Sequence, residues 1–136
     1  MQKQFINPSG LPKWERSFSQ VVIVHNGATK TVYLSGQVAV DADNHLVGPG
    51  DLKIQAEMAF MNLERALAAA GASPEDVVKL NVYLVDYKAE QATIVREAMR
   101  MVFRHKELPA STWLGVERLA LEGLLIEVDA IAVAEA

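Results

Sequence analysis

Cysteine is absent from all 136 positions of the chain. That excludes disulfides, thiolate nucleophiles and zinc–thiolate centres. It also fits a reducing compartment, and a cytoplasmic protein is the expectation. Basic residues are in the minority: 13 Lys and Arg stand against 17 Asp and Glu, for a net charge of −4, and they are scattered. Sequence-independent nucleic-acid binding needs a concentrated basic face, so the balance argues against a nucleic-acid partner. No apolar run approaches the roughly 18 residues of a membrane span. The first residues, Met1–Pro8, carry no apolar signal core. Gly-rich phosphate loops, a G-x-S-x-G elbow and an aromatic-and-basic RNA platform are all missing. His25, His45 and His105 lie apart without metal-ligand spacing, so neither metal nor cofactor is expected.

What is present is a well-populated apolar pattern. Hydrophobic residues make up 51% of the chain, which is enough for one domain spanning 1–136 with a core of its own and some surface left to bury elsewhere. Residues 1–16 read as irregular, broken by Pro8–Ser9–Gly10 and Pro12, with Trp14 at the core edge. Phe18–Val24 reads as a strand, Asn26–Gly27 as a hairpin turn with positive φ at both central positions, and Lys30–Val40 as the returning strand. Gly36 sits inside that strand, where glycine marks a bend or a close backbone approach. His45–Val47 is a candidate third strand.

Asp51 caps a long helix whose stripe is Leu52, Ala56, Ala59, Phe60, Leu63, Ala66, Leu67 and Ala70, with Gly71 as its stop. Gln55 and Asn62 fall among its polar remainder. Ser73–Pro74–Glu75–Asp76 reads as a capping box over one short turn. Val78, Leu80, Val82 and Leu84 alternate along a half-buried strand. A second helix follows over about 88–104, with Ala92, Val95, Ala98, Met99, Val102 and Phe103 inward.

Two strands complete the chain, Leu108–Leu119 and Leu124–Val133, joined by Ala120–Gly123. In the second, Leu124, Ile126, Val128, Ala130 and Ala132 fall on one wholly apolar face, as a sheet packed on helices requires. The other face mixes Glu127 and Asp129 with Leu125, Ile131 and Val133, a composition suited to a subunit interface or a cleft. The pattern predicts an α+β fold: a mostly antiparallel sheet with two helices on one face. The uncovered face, with Tyr33, Leu125, Ile131 and Val133, argues for oligomerisation.

Five segments in order resemble the Rid family, also called YjgF or L-PSP. They are Phe18–Ser19–Gln20, Tyr33–Gln37, Gly71–Lys79, Pro109–Thr112 and Ile126–Ala132. The resemblance implies a chorismate-mutase-like α+β fold, a homotrimer, and a small-molecule ligand in a cleft between subunits. It also implies hydrolytic deamination of reactive enamines and imines. Glu127 matches the glutamate that positions the attacking water, and Ser35 with Gly36 matches the site's backbone element. The family's carboxylate-gripping arginine, after the Pro-Ala pair, is Ser111 here; its tyrosine before Ser-Gln is Phe18; a commonly small position is Trp113. Thr112 completes the implied binding set. The chain thus looks like an arginine-lacking branch.

Three functions compete on these grounds. The first is a Rid-like deaminase using Glu127 as a water-positioning base, a role that contributes on the order of 10²–10⁴-fold. The second is a non-catalytic metabolite-binding or regulatory trimer. The third, an endoribonuclease, is weakest because no basic cluster exists. Arg118 is read as an interface ion-pair partner, for Asp129 or Glu117, rather than a substitute for the missing arginine.

Overall fold

The alternation at the C-terminus governs the sheet. The computed structural model describes residues 1–136. Six strands form one sheet: β1 (Lys3–Ile6), β2 (Val21–Asn26), β3 (Thr29–Val38), β4 (Val77–Val85), β5 (Ala110–Val116) and β6 (Ile126–Glu135). Helix α1 (Leu52–Ala69) follows β3, and α2 (Ala92–Val102) follows β4. The spatial order is β1-β2-β3-β6-β4-β5. Every neighbouring pair is antiparallel except β4 with β5. That parallel pair needs a crossover, and α2 supplies it. The architecture is the expected α+β one, with both helices on one face.

The inward residues of β6, Ile126, Val128, Ala130 and Ala132, are all fully buried. Above them pack Ala56, Ala59, Phe60, Leu63 and Leu67 of α1 and Val95, Ala98, Met99 and Val102 of α2. Phe60 and Phe103 meet edge to face, ring centroids 6.4 Å apart. The opposite face is bare in the protomer. Phe5, Tyr33, Leu114 and Val133 stand exposed on it, while Leu125 and Ile131 are half-buried.

Several local expectations change. The N-terminal segment is not wholly irregular: Lys3–Ile6 pairs with Val21–Val24 as an edge strand. Asn26 pairs with Thr29, so the turn's central residues are Gly27 and Ala28. Only Gly27 has positive φ (63°), the pattern of a type II′ turn rather than I′. His25 therefore lies in β2 rather than a loop, its ring 3.0 Å from the Gln4 amide oxygen. The third strand reduces to one bridge, Val40 with Leu46. Val78 is 49% exposed because a register shift between Val77 and Lys79 turns it out of the alternation. The last two strands are joined in sequence but not in space: β4 runs between them, and β5 ends at Val116.

Gln55 and Asn62 are the largest departure in α1, since both are buried on its inner side. Each serves as a cross-link. The Asn62 amide donates to the carbonyls of Val38 (2.9 Å) and Val40 (3.0 Å). The Gln55 amide donates to the carbonyls of Gly48 (3.1 Å) and Gly123 (2.9 Å), and its oxygen accepts from the Leu125 N–H (2.8 Å). Gln55 thereby fastens the 117–125 loop to α1. Gln55→Leu would strip three partly buried backbone groups of partners, and we expect a loss of about 1–3 kcal/mol, read as a lower urea midpoint.

Candidate functional site

The site begins with the glycine in β3. Pairing between β3 and β6 is continuous except between Leu34 and Gln37, where Ser35 and Gly36 bulge from the ladder. Neighbouring polar groups pin that bulge. The Ser35 hydroxyl donates to the Ser19 carbonyl (2.6 Å), and its N–H donates to the Gln20 carbonyl (2.9 Å). The buried Gln37 amide donates to the Gln20 side-chain oxygen (2.8 Å) and to the Ser35 carbonyl (3.0 Å). The Gln20 amide donates onward to the Pro12 carbonyl (3.3 Å).

Glu127 on β6 lies directly over Gly36. A Cβ at position 36 would stand 2.5 Å from the Glu127 carboxyl carbon, 2.7 Å from Oε1 and 2.9 Å from Cγ. Only the missing side chain gives the carboxylate its seat. The carboxyl group is half-buried, and no hydrogen bond or ion pair within the chain engages it. Burial first, and then the nearby Asp129 carboxylate, hold its pKa above the ordinary glutamate value. Asp129 shares that face, two residues along, and accepts from the Asn81 amide at 2.9 Å. Tyr83 is Glu127's register partner on β4. Its phenol is pushed above the ordinary tyrosine value by burial, then by Asp129 and Glu127.

Glu127 and Gly36 share a cavity of about 290 Å³ with Trp14, Ser17, Phe18, Val38, Ala120, Leu121 and Leu124. Its apolar base belongs to a small second core of Val38, Val40 and Leu124, against which Trp14 packs. The turn at 14–18 folds because the N–H groups of Ser17 and Phe18 both donate to the Trp14 carbonyl (2.8 and 3.2 Å). That brings the Trp14 and Phe18 rings to a centroid distance of 6.0 Å, tilted by 57°. Phe18, Gly36 and Glu127 therefore line one cavity, and Ser35 holds the bulge. Trp14, Leu121 and Leu124 were not anticipated here. The four-residue spacing of Trp14 and Phe18 was the one available signal for the first.

Ser111, Thr112 and Trp113 do not join this cavity within one protomer. All three are on β5, separated from β6 by β4, roughly two strand spacings or ~10 Å away. Trp113 pairs with the inward Val82 and packs against the main core, and its Nε1–H donates to the Ser111 hydroxyl (3.0 Å). Thr112 faces the other way and accepts from the Lys79 ammonium (3.0 Å). Arg118 lies beyond β5, forms no ion pair within the chain, and lines a second, larger hollow of about 770 Å³ walled by Val85 and the 117–125 loop. No three potential metal ligands converge anywhere.

Chemically, the arrangement offers one unengaged carboxylate with a raised pKa, set in an apolar recess open to solvent. Such a group can orient a water and carry a proton. The family description "Endoribonuclease L-PSP" matches residues 11–134. A 2-iminobutanoate/2-iminopropanoate deaminase of Dermatophagoides farinae is 30% identical over 98% of each chain. The rat protein of the same name is 34% identical, over 96% of this chain and 90% of its own. The crystal structure of RidA from an Antarctic Psychrobacter superposes with a TM-score of 0.80 at 30% identity, covering 96% of this chain and 99% of that one. Fold, order of segments and these likenesses agree: the chain belongs to the L-PSP, or Rid, family.

Proposed function

We propose that this protein is a hydrolytic deaminase of reactive imines or enamines, with Glu127 positioning the water. The observation that carries the reading is the Glu127 carboxyl seated over the Gly36 bulge, free of any partner and facing an apolar recess. Relatives named as imine deaminases, alike over nearly the full chain, support the same chemistry.

The reaction needs little from the protein. An iminium carbon is already electrophilic. Glu127 in its carboxylate form accepts one proton as water adds, giving a carbinolamine. It returns that proton to nitrogen; the C–N bond then breaks as the hydroxyl closes to a carbonyl, and the hydroxyl proton leaves with the nitrogen as ammonium. A raised pKa suits this exchange, because the proton taken in one step must be given up in the next.

The working form is a homotrimer closed across the bare sheet faces. Exposed Phe5, Tyr33, Leu114 and Val133 support that reading. The edge strand β5, with Ser111, Thr112 and Trp113, would then complete the binding cleft from a neighbouring protomer. Ser111 supplies a hydroxyl and no charge where the carboxylate anchor is expected.

The test is direct. Imines generated in situ by an amine or amino-acid oxidase are offered to the purified protein, and ammonia release is followed against buffer. Light scattering on the same sample should give three times the mass of the 14.9 kDa chain. A monomer at micromolar concentration, or no rate above buffer, overturns the reading.

A further inference from the structure

Two glutamines lie buried behind the bulge, Gln20 at 1% and Gln37 at 2% exposure. Burying an amide is unfavourable unless its bonds are recovered, and a well-bonded pair fixes its surroundings in one arrangement. Between the register pairs Leu34–Ala130 and Gln37–Val128, Ser35 and Gly36 have no register partner on β6. Glycine backbone without that support is the loosest a chain can offer, yet the Glu127 carboxyl is seated on it. The Gln37 amide closes the gap by donating to the Ser35 carbonyl at 3.0 Å. That carbonyl and the Gly36 nitrogen share one planar peptide unit, so holding the oxygen holds the nitrogen. The same amide donates to the Gln20 side-chain oxygen at 2.8 Å, and Gln20 reaches the Pro12 carbonyl at 3.3 Å. At the other end of that segment, the Ser19 carbonyl accepts from the Ser35 hydroxyl. The stretch carrying Trp14, Ser17 and Phe18 is thereby tied to the bulge at both ends.

We infer that Gln37, acting with Gln20, is a positioning residue: it holds the Gly36 floor and the aromatic wall in register with the Glu127 carboxyl, and so sets the rate without touching substrate. Its effect on rate rests on the hydrolase reading above; its hold on the carboxyl does not. Both amides and all their partners belong to one chain, so the arrangement owes nothing to a neighbouring protomer. The floor is the critical part, because a shift of about 1 Å at a reacting group can cost about 10²-fold in rate. An apolar side chain of the same length would fill the same space. It would leave the Ser35–Gly36 peptide free to turn beneath Glu127.

Gln37→Met keeps the side chain's length and removes both donated bonds. It should lower kcat by about 10²-fold with KM changed by less than about threefold. Carbon-13 labelling of the glutamate carboxyls gives a readout without substrate. The Glu127 signal, identified by its loss in Glu127→Gln, should titrate closer to 4.5 in Gln37→Met than in the wild type, because a carboxyl off its seat is better solvated. Asp129 and Tyr83, its ionisable neighbours on β6 and β4, are the same in both proteins. Gln37→Met also leaves the Gln20 oxygen unpaired. Adding Gln20→Met removes that oxygen, so the double variant should regain part of the lost urea midpoint while kcat stays low. It carries both readouts should the single variant not fold. Val95→Ala, a truncation in the buried core on α2, is the control for lost stability and should keep its kcat. An unmoved Glu127 titration, a kcat within about threefold of wild type, a rate that recovers with stability, or an equal fall in Val95→Ala overturns the positioning role. If the wild type turns over no imine, the hydrolase reading falls, and the titration by itself decides whether Gln37 seats the carboxyl.

Discussion

Glu127→Gln is expected to lower imine turnover by about 10²–10⁴-fold while making the folded protein more resistant to heat at neutral pH. On the proposed chemistry, the loss follows from removing the proton acceptor while keeping the side chain's shape. The gain follows from linkage. The folded protein holds the Glu127 pKa above the usual 4.5, mainly by burial and then by Asp129. Between the unfolded and the folded pKa, the folded state binds more protons, so stability falls as pH rises through that window. Above the window the penalty is fully present, and glutamine removes it. The group remains partly exposed, so the shift is modest, about 1–4 °C in Tm. At pH 4 or below, where Glu127 is mostly protonated in both states, the two proteins should melt close together. Scanning calorimetry at pH 4 and 7.5, beside the ammonia assay, checks both halves. For the wild type, kcat should drop on acidification through a pKa above 4.5, because the carboxylate is the working form. A normal glutamate pKa in that profile would contradict the account.

Gly36→Ala is the second large effect. The added methyl would fall within 2.5–2.9 Å of three Glu127 side-chain atoms, too close for any to stay. Gly36 has no positive φ, so alanine strains the site through this contact and not through its own backbone. The carboxylate must swing off the bulge. Displacement of about 1 Å at a reacting group can cost about 10²-fold in rate. Overpacking against Cγ, which cannot move as freely, adds about 1–3 kcal/mol of destabilisation. If Glu127 is the obstacle, truncating it relieves the strain. Glu127→Ala should therefore stabilise the Gly36→Ala protein by more than it stabilises the wild type, a non-additive result that urea unfolding of the four proteins can measure. Strict additivity would mean that alanine at 36 disturbs the bulge by another route.

The β6 alternation shows how far a local pattern reaches. Period two with one apolar face assigned Ile126, Val128, Ala130 and Ala132 to the core and Glu127 and Asp129 to the other face, and both assignments hold. The α1 stripe was legible for the same reason, because apolar side chains at helical spacing can be buried only on one side. The polar members failed. Gln55 and Asn62 read as part of the polar remainder, outside the apolar stripe, because composition cannot say whether an amide will meet carbonyls from another segment. Val78 failed because a bulge shifts the parity of every residue before it.

Sequence alone determined the class of fold, the family, and the identity of the carboxylate on the open sheet face. These follow from periodicity and from short segments whose order along the chain is their own evidence. Tertiary structure decided the rest. It inserted β4 between β5 and β6, and so parted Ser111, Thr112 and Trp113 from Glu127 within a protomer. It placed Gly36 beneath Glu127, and it recruited Trp14 and Leu121 from distant loops into one recess. Strand order and loop docking depend on which long-range surfaces fit together, and that free energy belongs to pairs of segments rather than to either one.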